Sequence, residues 1–253
     1  PLKEIADKYN SLQSALAGAE RLVPLLEEED RQITNEVPRE FKHIESIDFE
    51  HVWFSYDNSN VYALEDFTLS IKAGEFIGIV GPSGSGKSTL LSLLMGLYKP
   101  TKGAIYINGI DIANYDSSVL RHLMGYVFQQ AYLFKGSIKD NLTLFDTSIS
   151  YDDMVAAAKQ VNLDSMIEQL PEGYHTPVGY LGSLLSDGQK QLLAFGRTLI
   201  RNTPILLLDE ATANIDSHTE KQIQASIENI RGSKTIVSIA HRLSTVQDAN
   251  KIV

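Results

Sequence analysis

The sequence predicts an α/β fold: a parallel sheet with helices on its faces, an antiparallel β subdomain and a helical subdomain. Apolar runs, "FIGIVG", "MGYVFQ", "PILLLDE" and "KTIVSIAH", alternate with helical segments, as expected of strands buried on both faces beneath crossover helices. A glycine-rich turn, "GPSGSGKST", separates the first of these runs from a helix. Short strand-like stretches bounded by turn residues make up the rest of the first half.

Taken in order, Leu2, Ile5, Tyr9, Leu12, Leu16 and Val23 recur about every three and a half residues, which predicts an amphipathic helix over 1–23, broken near Pro24. The charged stretch "EEEDRQITNEVPRE" follows and reads as a linker over 24–43. From Ile44 the chain changes to short strands in "IESIDFEHVWFSY", "YALEDFTLSIKAGEFIGIVG" and "GAIYINGIDI". A single domain is expected over 44–253, its helical subdomain at about 131–186 and richest in helix from Asp152 to Leu170. The final "ANKIV" reads as the start of a strand, and the first residue, Pro1, already lies inside a periodic pattern. The sequence therefore reads as a piece of a longer polypeptide.

Composition narrows the chemistry. At 253 residues, 43% hydrophobic and 21% charged, the chain can bury a substantial core, and no run of eighteen apolar residues is present. A net charge of −10 argues against reading a nucleic-acid backbone, which calls for a basic stripe. With no cysteine there is no disulfide, thiolate metal site or thiol nucleophile. Any metal must sit on oxygen or imidazole.

The glycine-rich turn matches a P-loop: Gly81, four residues, then Gly86, Lys87 and Ser88, with a strand before and a helix after. Glycines let the backbone approach closely, so that the N–H groups of Ser83, Gly84, Ser85 and Thr89 and their neighbours can surround phosphates. Lys87 would reach the β- and γ-phosphates, and the Ser88 hydroxyl would ligate Mg²⁺. In "PILLLDEATANID" a buried strand ends in Asp209, which can serve the same ion directly or through water. Glu210, next in line, is placed to polarise an attacking water. "SLLSDGQKQLLAFGR" starts a helix at Ser186. By itself it is an N-cap, with an acid, Asp187, set awkwardly in a turn suited to anions.

Together, in this order, these motifs resemble the nucleotide-binding domain of ABC transporters, of the exporter type in which that domain follows the transmembrane segment. The resemblance covers residues 44–253, and 1–23 resembles the cytoplasmic end of the last transmembrane helix. It implies a P-loop NTPase core of RecA type, ATP and Mg²⁺ as ligands, and ATP hydrolysis that drives export. Ser186, Asp187, Gly188 and Gln189 match the LSxGQ signature, which implies head-to-tail pairing with a second such domain whose ATP this loop contacts. Tyr56 falls where the family stacks an aromatic on adenine, whereas Trp53 and Phe54 read as core. Gln129 matches the Q-loop glutamine on Mg²⁺ or the attacking water, with Gln130 the adjacent alternative. His241 matches the switch histidine on the γ-phosphate, and Asp216 the D-loop aspartate at the dimer interface.

The chain departs from the family in "TPVGYLG", where Tyr180 and Leu181 replace an acidic-basic pair, and in the forms "LSDGQ" and "ANID". Such variation suits one half of a heterodimer as well as a homodimer. The resemblance implies a place on the cytoplasmic face of a membrane, with the transmembrane domain of the same chain as partner. An importer ATPase would start with Met close to the first strand. A soluble ABC ATPase acting on ribosomes or DNA would show a second P-loop or a basic face. Asp187 is expected to point away from the nucleotide or to sit beside a cation, since an acid facing triphosphate within a Debye length is repelled.

Overall fold

The computed structural model describes residues 2–27, 43–56, 61–211, 215–240 and 245–253. The chain divides into two compact units, Pro1–Asn35 and Glu36–Val253. Among the described residues the first contains one helix, α1 (Leu2–Glu27). It runs past Pro24, so the predicted break there is not found. A proline removes one backbone donor and crowds the preceding turn, and here that is not enough to end the helix. Ile5, Tyr9, Leu12 and Leu16 are all exposed on it.

In the second unit, β1 (Ser46–Phe54), β2 (Leu64–Lys72), β4 (Lys102–Ile107) and β5 (Ile110–Asp111) form an antiparallel sheet in the order β2-β1-β4-β5. The parallel sheet has the order β6-β7-β8-β3-β9, from β3 (Phe76–Ile79), β6 (Met124–Val127), β7 (Ile205–Asp209), β8 (Thr235–Ile239) and β9 (Lys251–Ile252). Every residue of β3 and β8 is buried, as are the four apolar residues that open β7. Such strands need no polar alternation, because helices or a second sheet cover both faces.

The strand period of two divides this sheet between two cores. Phe76, Leu206, Leu208 and Ile236 pack with α7 (Asp187–Ile200), α8 (Ser217–Ile230) and the helices of the insert. Ile77, Ile79, Leu207, Val237 and Ile239 pack with α2 (Lys87–Leu94) and the antiparallel sheet. Truncating one of these fully buried leucines, such as Leu207, to alanine costs about 2–5 kcal/mol. Between β5 and β6 lies α3 (Ser117–Leu123), and between β6 and α7 lie α4 (Ile138–Thr143), α5 (Tyr151–Gln160) and α6 (Asp164–Glu168).

Register decides what the sheet presents at its edge. Ile79 pairs with Ile239, and Ile239 with Asp209, while Val127 pairs with Leu208. The carboxyl ends of β3, β6, β7 and β8 are therefore level. The residues just beyond them, including Gly81, Gln129 and Glu210, open on the same edge, where ligands bind open α/β sheets.

Candidate nucleotide site

The loop after β3 wraps the start of α2. Gly86 is the N-cap of that helix at φ 90°, and no side chain caps the helix, so its first-turn N–H groups remain for an anion. Any β carbon at Gly86 would strike the Ala63 carbonyl oxygen. Only glycine joins this strand to this helix at this angle. Lys87 is buried and folds back on its loop, donating to the carbonyls of Gly81 (2.9 Å) and Pro82 (2.8 Å).

The acids of β7 face this loop. Asp209 Oδ1 accepts a long hydrogen bond, 3.4 Å, from Ser88 Oγ, and its Oδ2 accepts one of 2.8 Å from the Tyr126 hydroxyl. Burial, reinforced by the Asp209 carboxylate, pushes the Tyr126 phenol above its ordinary pKa, so it remains a donor. Glu210 follows at φ 49°, a left-handed conformation that non-glycine residues adopt at a cost. Its backbone N–H donates to Ile239, and its Oε2 accepts from Gln129 Nε2 at 2.6 Å. One cavity of about 290 Å³ is lined by Tyr56, the P-loop residues Ser83, Gly84, Gly86, Lys87, Ser88 and Thr89, and Glu210.

Tyr56 is exposed at the rim, its ring edge-on to Phe54 (4.8 Å) and Tyr98 (5.3 Å), its hydroxyl 2.8 Å from Thr89 Oγ1. Phe54 belongs to the core. Trp53 is only half-buried and packs edge-on against Tyr62 at 5.1 Å.

Ser186 to Gln189 open α7. Ser186 is an N-cap: its Oγ accepts from the Gln189 N–H at 3.2 Å, and Gln189 Oε1 accepts from the Ser186 N–H at 2.9 Å, a reciprocal capping box. Asp187 points outward and pairs with Lys190 at 3.0 Å, so a cation stands beside the awkward acid. Gly188 is buried where α7 meets α8. A β carbon there would lie 2.6 Å from Thr219 Oγ1 and 3.0 Å from Thr219 Cβ and Cγ2. Thr219 in turn donates from its hydroxyl to Asp216 Oδ2 at 2.7 Å, and Asp216, the N-cap of α8, accepts from the N–H groups of His218 and Thr219. Those bonds hold the Asp216 carboxyl below its ordinary pKa.

The structure thus brings Tyr56, the P-loop, Gln129, Asp209 and Glu210 to one edge and ties the Ser186–Gln189 segment to Asp216. His241 lies outside the described residues. Three further side chains shape the site. Tyr126 holds Asp209, Thr219 meets Gly188, and the buried Gln191 of α7 donates to the Phe128 carbonyl at 2.9 Å, next to Gln129. Each joins residues that the sequence separates widely, and of the three only Tyr126, a hydroxyl inside the apolar run "MGYVF", carries a local sign.

The sequence profile of the ABC transporter family matches residues 64–213. A putative ABC transporter ATP-binding protein of Streptococcus pneumoniae is 42% identical over 252 residues, covering 100% of this chain and 43% of that protein. An ATP-dependent lipid A-core flippase of Syntrophus aciditrophicus is 38% identical over 259 residues, again 100% of this chain and 42% of the relative. The chain spans less than half the length of these curated relatives. A bacterial Atm1-family ABC exporter solved with ATP bound superposes with a TM-score of 0.84 at 36% identity, over 97% of this chain and 43% of that one. With the family profile matching more than half of its length and a P-loop and an LSxGQ segment in its sequence, the chain belongs to the ABC transporter family and carries its ATP-binding domain.

Proposed function

We propose that this domain drives export across a membrane by closing head to tail on a second nucleotide-binding domain around ATP. The observation that carries the reading is the cluster Ser88–Asp209 and Gln129–Glu210 beside the P-loop. The functions named for the relatives, flippase and exporter, support export as the outcome. The domain over 44–253, its helical part at about 131–186, would sit at the cytoplasmic face, with α1 continuing a transmembrane segment and the charged stretch that follows it as linker. No described helix is itself long and apolar enough to cross a membrane.

Residue roles follow from chemistry. The Ser88 hydroxyl, the Gln129 amide oxygen and the Asp209 carboxylate would hold Mg²⁺, for which an all-oxygen donor set is suited. When bound, the ion neutralises charge on the β- and γ-phosphates. Lys87 leaves its loop carbonyls for those phosphates, and Gly81, Ser83, Gly84, Ser85, Gly86 and Thr89 offer the cradle around them. Tyr56 stacks on adenine. Glu210 exchanges the Gln129 amide for a water and orients it toward the γ-phosphorus. The new P–O bond forms as the bond to the β-phosphate oxygen breaks, leaving ADP and phosphate. His241 contacts the γ-phosphate. Ser186, Gly188 and Gln189 of the partner domain close the site, with Asp187 held outward and Asp216 along the interface. ATP favours the closed pair over the open one and ADP does not, so hydrolysis resets the cycle.

Glu210→Gln tests the reading. Nucleotide binding should persist while steady-state hydrolysis falls about 10²-fold or more, and an ATP-dependent dimer should accumulate on gel filtration. Undiminished hydrolysis would overturn the assignment.

A further inference from the structure

The Asp209 carboxylate is divided between two neighbours. Its Oδ1 faces Ser88 on the P-loop helix, while its Oδ2 is taken by the Tyr126 hydroxyl at 2.8 Å. The division follows from the sheet. Tyr126 pairs in register with Leu207, so its side chain emerges on the same face as that of Asp209 two residues on, one strand away. The ring is held as well: it is half-buried and packs on Phe128 at 4.4 Å. A carboxylate without such a partner turns about its Cβ–Cγ bond and shares its charge between two directions. Here Oδ2 is held by the short bond from the phenol, and Oδ1, in a long bond of 3.4 Å with Ser88, faces the P-loop helix.

We infer that Tyr126 is a positioning residue for the metal–nucleotide complex, committing Asp209 Oδ2 to the protein so that Oδ1 faces the ion held beside Ser88. This rests on the reading of Ser88 and Asp209 as the Mg²⁺ side of the site. Hydrogen-bond partners of metal-side carboxylates set the orientation of the oxygen that matters, and their loss typically weakens metal binding about 10–100-fold.

Tyr126→Phe keeps the ring and its packing and deletes only the hydroxyl. With the chain in excess over a fluorescent ATP analogue, Mn²⁺ is titrated and followed by the electron paramagnetic resonance of the free ion. Nucleotide affinity in EDTA and the melting temperature are measured alongside. The half-saturating Mn²⁺ concentration should rise about 10-fold, with EDTA affinity unchanged and cooperative thermal unfolding retained. A parallel loss of metal-free nucleotide affinity would show a merely structural role and overturn the inference. Asp209→Ala separates the two levels of the reading. If it weakens Mn²⁺ binding and Tyr126→Phe does not, the site stands and the role of Tyr126 falls. If Asp209→Ala leaves Mn²⁺ binding intact, the site assignment itself falls, and the inference with it.

Discussion

Replacing Gly188 by alanine places a β carbon 2.6 Å from Thr219 Oγ1, where ordinary contact begins near 3.4 Å. Thr219 cannot swing aside cheaply. It is buried, and its hydroxyl is bound to Asp216 Oδ2 at 2.7 Å, so yielding would break the cap of α8. The start of α7 must move instead. Overpacking of this kind costs about 1–3 kcal/mol, offset by at most about 1 kcal/mol from the better helix propensity of alanine. For a chain of this size each kcal/mol is worth about 2–4 °C, so thermal unfolding should fall by a few degrees. Hydrolysis should fall further, toward 10²-fold, because displacement of a positioned group by about 1 Å is enough for that. Thr219→Ala removes Oγ1, the atom that leaves least room, together with Cγ2, while Cβ at 3.0 Å stays, so Gly188→Ala combined with Thr219→Ala should be less damaged than the two single effects predict. Additivity within about 0.5 kcal/mol, or a Gly188→Ala chain as stable and active as the parent, would refute the steric argument.

Tyr56→Ala should weaken ATP binding by about 1–3 kcal/mol while Tyr56→Phe, which keeps the ring and loses only the contact to Thr89 Oγ1, should stay close to the parent; equal losses would remove the stacking role. Hydrogen bonds from the Thr219 backbone and hydroxyl depress the Asp216 pKa, and those from Ser137 depress that of Asp140. A carboxyl with a lowered folded pKa binds fewer protons folded than unfolded, so its stabilisation is present above the ordinary value of 3.8 and is lost as pH falls through the folded pKa. Melting temperature should therefore decline more steeply below about pH 4 in the parent than in Asp216→Asn, which keeps the cap without the charge.

Motifs whose residues lie close together along the chain are legible in the sequence alone. The spacing from Gly81 to Ser88, the apolar run into Asp209 and the pairing of Asp187 with a cation at i+3 are local, and local geometry follows from the helix and strand periods. Ser186 is legible as an N-cap, and the capping box with Gln189 bears that reading out. Contacts between elements are not legible in this way. Tyr126 reaches Asp209 because β6 is hydrogen-bonded to β7, and nothing in "MGYVFQ" names its neighbour. Gly188 is small because α8 crosses there, a fact of packing between segments some thirty residues apart. Pro24 misleads in the opposite direction, since the helix continues to Glu27.

The composite site is the central claim, and the absence of native cysteine allows a direct test. Ser83 on the P-loop and Ser186 on the signature segment are both exposed. One chain carries Ser83→Cys, another Ser186→Cys, each with Glu210→Gln to hold the closed state, and the two are mixed under mild oxidation with ATP or with ADP. A disulfide-linked dimer should form in the mixture with ATP, and neither with ADP nor within either variant alone. No crosslink in the ATP mixture, or equal crosslinking within a single variant, would contradict head-to-tail closure around ATP.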